Sequence, residues 1–256
     1  KTFFEEFIKY ITTHYNVISL DDFYAKKFKK GTLNIALTFD DGYHNNYEHA
    51  VPILRKYNVP ACFYITTIHE KADYLWADFI DLVSYHSEKE EVLFERNIYH
   101  KNQKNEFVHQ GNSLKNVAKA IPYQVIALLY QVFKEDWNTL PKDELQEYWK
   151  LMSPTQIKEI AAHPLFTIGS HAETHASLID IPIDVAKQEI LNSKNALEAI
   201  CKQPIEEFAF PFGYYTEELA NYCLEIGYKR VLLVDYNEKS HQQNEAWKNR
   251  FVMNPY

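Results

Sequence analysis

The chain has 256 residues, 46% of them hydrophobic and 15% aromatic, which is enough apolar material for one large core and excludes a disordered protein. Its net charge of −8 offers no Lys/Arg stripe to a phosphate backbone, so nucleic acid is not an expected partner; KKFKK at 26–30 is short and isolated. With only 6 glycines and neither a G-x-x-x-x-G-K nor a G-x-G-x-x-G motif, nucleotide cofactors are not expected either.

In chain order, FFEEFIKYI at 3–11 carries apolar residues at helical spacing, and VISL at 17–20 reads as a short strand. LNIALTF at 33–39 is a nearly continuous apolar run ending in Asp40-Asp41-Gly42, as expected of a strand buried on both faces. A helix fits 46–57, and VPACFYIT at 59–66 is strand-like. From about 70 to 163 the periodicity turns helical, through Phe79, Leu82 and Val83 and again through Val125, Leu128, Leu129 and Val132, which predicts a helical insertion. Strand-like runs resume at 166–169, 208–210 and 231–234, with a helix over 184–200. Strands alternating with helices predict βαβ units and a parallel sheet or barrel in a single domain over 1–256. Cys62, Cys201 and Cys223 are an odd number at unrelated spacings, giving neither a disulfide framework nor a cysteine metal site. No run approaches the ~20 apolar residues of a membrane helix.

Three predicted strands end in polar or turn clusters: Asp40-Asp41-Gly42, Ser170-His171 and Pro211-Phe212-Gly213. Sites in parallel α/β folds are built at the carboxyl ends of strands, so these clusters are expected to converge. His171 and His175, at i and i+4, would lie on one face of a helical turn, within reach of one ion. Ser170 and Glu173 fit a capping box, which predicts a helix starting there. Taken alone, H-x-x-x-H also arises by chance, and D-D-G also fits a plain Asp turn closed by glycine. Together, one carboxylate and two imidazoles form the ligand set of an open catalytic site for Zn²⁺ or a similar ion.

TFDDG (38–42), SHAETH (170–175) and FAFPFG (208–213), in this order, resemble the motifs of polysaccharide deacetylases of the NodB-homology, carbohydrate esterase 4 type, in the subgroup with a F-A-Y-P-like third motif. The resemblance extends over most of the chain, including VISLDDF, YEHAVPILRKYNVPACFYIT and LMSPTQIKEIAAHPLFTIGSHAETHASL. It implies an α/β fold with a distorted (β/α)7-type barrel, and metal-dependent hydrolysis of an N-acetyl, sometimes O-acetyl, group on a sugar of a surface glycan, its precursor or a chitin-like oligomer. It also implies one divalent ion, Zn first with Co, Ni or Mn as alternatives, held by Asp41, His171 and His175. Asp40 would then be the general base, and the backbone N–H of Phe212, after Pro211, would help hold the oxyanion. Ser170 and Thr174 would be supporting or capping residues.

Two positions depart from the better-known family pattern. The arginine that orients the base in R-x-P-Y is replaced by Ala209, and Arg250 is the candidate to steady Asp40 instead, beside its reading as an ordinary salt-bridge arginine. The late histidine that serves as general acid is missing after VLLVD (231–235), where Asp235 stands. His44 and His241 are candidate substitutes, and an acid upstream of Lys1 is a third option. These departures motivate a second reading, a catalytically weak glycan-binding scaffold on the same fold. Trp76, Phe212, Tyr214, Tyr215 and Trp247 are candidates for a sugar-stacking platform, with Phe212 and Tyr214 favoured because they adjoin a motif. The expected partner is an acetylated sugar or glycan. The thiols suggest a bacterial cytoplasm and the family suggests the cell envelope; the chain as given carries no signal peptide and reads as a soluble domain with no transmembrane segment. Oligomeric state is not readable from the sequence.

Overall fold

The computed structural model describes residues 2–252, the Glu70 side chain excepted. The amphipathic helix α1 (Thr2–His14) buries Ile8 and Ile11. It is followed by β1 (Asn16–Val17), α2 (Leu20–Tyr24), β2 (Asn34–Ile35) and β3 (Leu37–Phe39). The 17–20 strand is thus cut short, because Ser19 turns to cap α2 by accepting from the Asp22 amide at 3.1 Å. The 33–39 run divides into two strands, one pairing with β1 and the other with the main sheet, and both are only half-buried because β3 lies at the sheet edge. A wide turn over Asn46–Ala50 leads into α3 (Val51–Lys56) and the fully buried β4 (Ala61–Ile65).

The insertion begins with α4 (Trp76–His86), but it is mixed where helix was expected. β5 (Glu91–Phe94), β6 (Asn97–Lys101), β7 (Phe107–His109) and β8 (Asn112–Ser113) form a four-stranded antiparallel sheet. These strands bury only alternate residues, such as Val92 and Phe94, so their apolar content is too sparse to stand out in a one-dimensional reading. α5 (Leu114–Lys119), α6 (Tyr123–Ile126), α7 (Leu129–Thr139), α8 (Lys142–Leu145) and α9 (Pro154–Ala161) follow, and the helical periodicity seen at 79–83 and 125–132 falls on α4, α6 and α7. The insertion has its own apolar core, running from Trp76 and Phe79 to Phe133, Trp137 and Trp149.

The remaining elements are β9 (Phe166–Ser170), α10 (Ile183–Cys201), β10 (Glu207–Ala209), α11 (Glu217–Glu225), β11 (Arg230–Leu233) and β12 (Trp247–Asn249). The main sheet has the order β12-β11-β10-β9-β4-β3 and all its pairs are parallel, an open α/β half-barrel curled so that one face packs on helices. Alternation along the strands separates two environments. Ala61, Phe63 and Ile65 join the large core with Phe208, Val231 and Leu233. Cys62, Tyr64, Ala209 and Leu232 face inward, with Glu207 and Arg230 on the same side by alternation. Inside, Arg230 binds Glu207 at 2.6 Å and also Asp21. Burial pushes the Glu207 carboxyl up to about 7, with Arg230 opposing the shift. Cys62 and Cys223 are buried thiols and Cys201 is half-buried. No helix among the described residues is long and apolar enough to cross a membrane.

Candidate active site

Three loops at the carboxyl ends of β3, β9 and β10 meet as the strand order requires. Asp40 follows β3 directly, and the chain then reverses through Asp41 at φ 72° and Gly42 at φ 84°. A side chain at Gly42 would start 3.1 Å from Ile65, so both backbone conformation and space favour glycine there. The Asp41 carbonyl accepts from Thr66 Oγ1 at 2.9 Å, which fixes the turn against the end of β4.

The segment 171–175 is a loop, where a capped helical turn was expected. Ala172 (φ 62°) and His175 (φ 58°) adopt left-handed conformations that a right-handed helix cannot include. Ser170 does not cap; its Oγ lies 2.6 Å from Ser193 Oγ on α10. The organising group is Glu189 of α10, which accepts from the Glu173 amide at 3.1 Å, the Thr174 amide at 2.7 Å and Thr174 Oγ1 at 2.7 Å. This buried carboxylate substitutes for helical hydrogen bonding. Burial raises its pKa despite the Thr174 bonds. Trp76 Nε1 of the insertion donates to the His175 carbonyl at 3.2 Å and holds the other end of the loop.

The result is a compact triad. His175 Nε2 lies 3.1 Å and His171 Nε2 3.4 Å from Asp41 Oδ1, and the potential donor atoms of all three residues fall within 4.8 Å of one another. His171 Nδ1 is 2.7 Å from the Ala209 carbonyl, so it carries the proton and Nε2 presents its lone pair to the site. Asp41 Oδ1 is buried without a well-formed hydrogen bond. Burial pushes the His171 imidazolium down, with the neighbouring His175 adding to the effect. A tautomer-locked imidazole and an unsatisfied buried carboxylate oxygen are the features a divalent cation would satisfy, so the residues present fit a metal.

Arg250 approaches from beyond β12 and grips Asp40 with both arms, Nη1 to Oδ1 at 2.6 Å and Nη2 to Oδ2 at 2.5 Å. Its guanidinium also lies 5.6 Å from the centre of the Tyr64 ring. Asp40 Oδ2 in turn stands 3.7 Å from His171 Nε2, so the candidate base borders the metal triad. Phe212, between Pro211 and Gly213, has φ 58°, and its ring meets His175 edge-on at 4.6 Å. Four non-glycine residues in left-handed conformations, Asp41, Ala172, His175 and Phe212, thus surround one centre. Such conformations cost about 1–3 kcal/mol each and persist where surrounding structure over-determines them.

Other candidates lie apart from this cluster. His44 packs against Gln156, with Glu48 3.1 Å from its Nε2. His241 is buried, its Nδ1 2.7 Å from Tyr215 Oη, while Asp235 is exposed. Trp76, Tyr215 and Trp247 are at most 3% exposed and serve the cores, so they offer no face to a sugar; Tyr214 is 48% exposed and Phe212 half-buried. Sequence reasoning missed Glu189, Tyr64 and the insertion residue Asp78, whose carboxylate accepts from Tyr43 Oη at 2.8 Å. None of these stands in a recognisable motif, and only the S-x-x-E spacing hinted that the 170–175 segment needed a cap.

Comparison with known proteins bears on the family and the fold. The family profile described as polysaccharide deacetylase matches residues 27–231. No curated protein matches the chain. Among solved structures, the chain is similar to the Streptococcus pyogenes deacetylase PplD in complex with acetate, at 17% identity and a TM-score of 0.58, over 98% of this chain and 80% of that one. IcaB from Ammonifex degensii is similar at 16% identity and a TM-score of 0.57, over 98% and 83%. BC0361, a polysaccharide deacetylase from Bacillus cereus, is similar at 18% identity and a TM-score of 0.53, over 96% of this chain and 55% of that one. These likenesses establish a shared fold, the NodB-like half-barrel. With the profile covering most of its length, the chain belongs to the polysaccharide deacetylase family and is a hydrolase of that family.

Proposed function

We propose that the protein removes an N-acetyl group, or in the related reaction an O-acetyl group, from a sugar of a glycan, and that it works with one divalent ion held by Asp41, His171 and His175. The observation that carries this reading is the convergence of those three side chains, within 4.8 Å, beside an aspartate gripped by arginine. Such an ion, when bound, supplies Lewis-acid polarisation of the acetyl carbonyl and the attacking water. Zn suits the Asp/His/His set best, with Co, Ni or Mn as alternatives.

The chain's own residues do the rest. Asp40 accepts the proton of the attacking water, and Arg250 keeps the carboxylate in the orientation for that transfer. The backbone N–H of Phe212, in the loop after Pro211, would donate to the oxygen that gains charge. When the carbon–nitrogen bond breaks, the proton held at Asp40 Oδ returns to the leaving nitrogen, which makes a separate histidine acid unnecessary. His44 and His241, bonded elsewhere, fit no role in this scheme. Arg250 also provides the cation whose absence at Ala209 favoured a glycan-binding scaffold, so catalysis is the stronger reading.

The test is acetate release from N-acetylglucosamine oligomers and from acetylated wall glycan, run beside metal analysis. Asp40→Asn is expected to keep the metal and lose turnover, whereas His175→Ala loses both. Unchanged acetate release from Asp40→Asn would overturn the assignment.

A further inference from the structure

The insertion reaches the active site through Trp76, whose Nε1 donates to the His175 carbonyl, and also through a lysine set against the Pro211–Gly213 loop. Lys119, the last residue of α5, places its ammonium 4.1 Å from the centre of the Phe212 ring and 5.6 Å from that of Tyr214. The same Phe212 ring meets His175, with ring centroids 4.6 Å apart, so the ammonium and a metal-ligand candidate touch one phenyl group. Three other lysines in and around the insertion pair with acids, Lys71 with Glu173, Lys89 with Asp136 and Lys115 with Asp81. Lys119 forms no ion pair among the described residues. It is half-buried against the Phe212 and Tyr214 rings, unlike a freely solvated surface cation. In a chain of net charge −8, an uncompensated ammonium beside the catalytic loops runs against the overall balance.

We propose that Lys119 determines specificity by recognising negative charge, so that the preferred substrate is an acidic N-acetylated glycan with a carboxylate or phosphate on, or next to, the sugar that loses its acetyl group. The inference rests on the deacetylase reading above and adds to it a substrate class. Phe212 and the exposed face of Tyr214 provide the apolar surface for the sugar ring, and Lys119 provides the charge complement at the edge. A purely mechanical role, clasping the insertion to the Pro211–Gly213 loop, would need the ammonium only for its contact with the rings. The two roles differ in whether substrate charge matters.

The experiment compares wild type with Lys119→Gln and Lys119→Arg on three probes: a neutral N-acetylglucosamine oligomer, an oligomer carrying the lactyl carboxylate of muramic acid, and an oligomer carrying a phosphate ester. Affinity is read as kcat/KM where acetate is released and as Kd where it is not, at low and high salt. Wild type is expected to favour one or both acidic probes by about tenfold, roughly one charge pair, with the preference shrinking in salt. Lys119→Gln should lose that preference while its value for the neutral probe changes little, and Lys119→Arg should keep it. The acidic probe that benefits identifies carboxylate or phosphate as the source. Equal affinity for neutral and acidic probes in wild type would overturn the proposal. So would an undiminished preference in Lys119→Gln, or an equal loss on every probe, the mark of a clasp. If acidic probes bind selectively through Lys119 but no acetate appears with metal loaded, charge recognition stands and the deacetylase reading fails.

Discussion

Arg250 and Asp40, 210 residues apart in the chain, meet through two hydrogen bonds of 2.5 and 2.6 Å, and so tie the last described segment of the protein to its first sequence motif. A two-armed guanidinium–carboxylate pair fixes the plane of the carboxylate as well as its position. Arg250→Ala is therefore expected to retain the metal and lower kcat/KM by about 10- to 100-fold, part of what a positioned general base contributes. Arg250→Lys, which restores charge without the fork, should recover only part of that loss. Steady-state kinetics beside metal analysis checks it, and wild-type rates in Arg250→Ala would separate the pair from catalysis.

The support for Arg250 extends one layer deeper, to a pair of residues facing each other across β4 and β9. Tyr64 pairs in register with Gly169, and a methyl group at Gly169 would start 2.5 Å from the Tyr64 ring. Tyr64 is fully buried, and the ring beneath the Arg250 guanidinium would have to shift. Gly169→Ala is expected to destabilise the fold by about 1–3 kcal/mol through overpacking and to reduce turnover with metal retained. Thermal unfolding and kinetics on the same sample report the two effects.

Glu189 holds the His171–His175 loop through three hydrogen bonds from Glu173 and Thr174. Removing it with Glu189→Ala would leave two amides and a hydroxyl without partners in a buried setting, at about 1–3 kcal/mol for each group left unsatisfied. Metal affinity should fall by about 10- to 100-fold, as for other groups that orient ligands without touching the ion. A metal titration of the variant checks this, and an unchanged affinity would show that the loop does not need Glu189.

Burial of Glu207 predicts a pH dependence of stability with a definite sign. Its carboxyl is pushed up to about 7 by burial, against an ordinary value of 4.5, so between those pH values the folded protein binds more protons than the unfolded chain. Stability therefore falls as pH rises from about 4.5 to about 7, by about 3 kcal/mol for a shift of this size. Glu207→Gln should flatten that part of the Tm-against-pH curve. The comparison is one of slopes, so a constant offset from the altered Arg230 pair does not affect it. Parallel curves for the two proteins would contradict the assignment.

Much of this was legible in the sequence because strand ends carry the chemistry. Buried runs such as FTIG and VLLV mark β9 and β11, and the polar clusters after 39, 170 and 210 locate the loops that the parallel sheet brings together. The i, i+4 spacing of His171 and His175 pointed to a shared ligand role through a helix, yet the two rings converge because Ala172 and His175 turn left-handed. Local spacing cannot report a carboxylate sixteen residues away on α10, and Glu189 was invisible for that reason. The sheet at 91–113 escaped notice because its strands are short and solvent-facing on alternate residues. Arg250 could be nominated only by the need for a cation, since nothing local ties it to Asp40.

The central claim is that Asp41, His171 and His175 form one metal site. The most direct measurement is elemental analysis of the purified wild-type protein beside Asp41→Ala, His171→Ala and His175→Ala, each after equilibration with Zn²⁺ and removal of excess. The expected result is about one ion per wild-type chain, the stoichiometry of a single open three-ligand site, with the ion lost in each variant. Metal retained at the wild-type level in all three variants, or none bound by wild type, would contradict it.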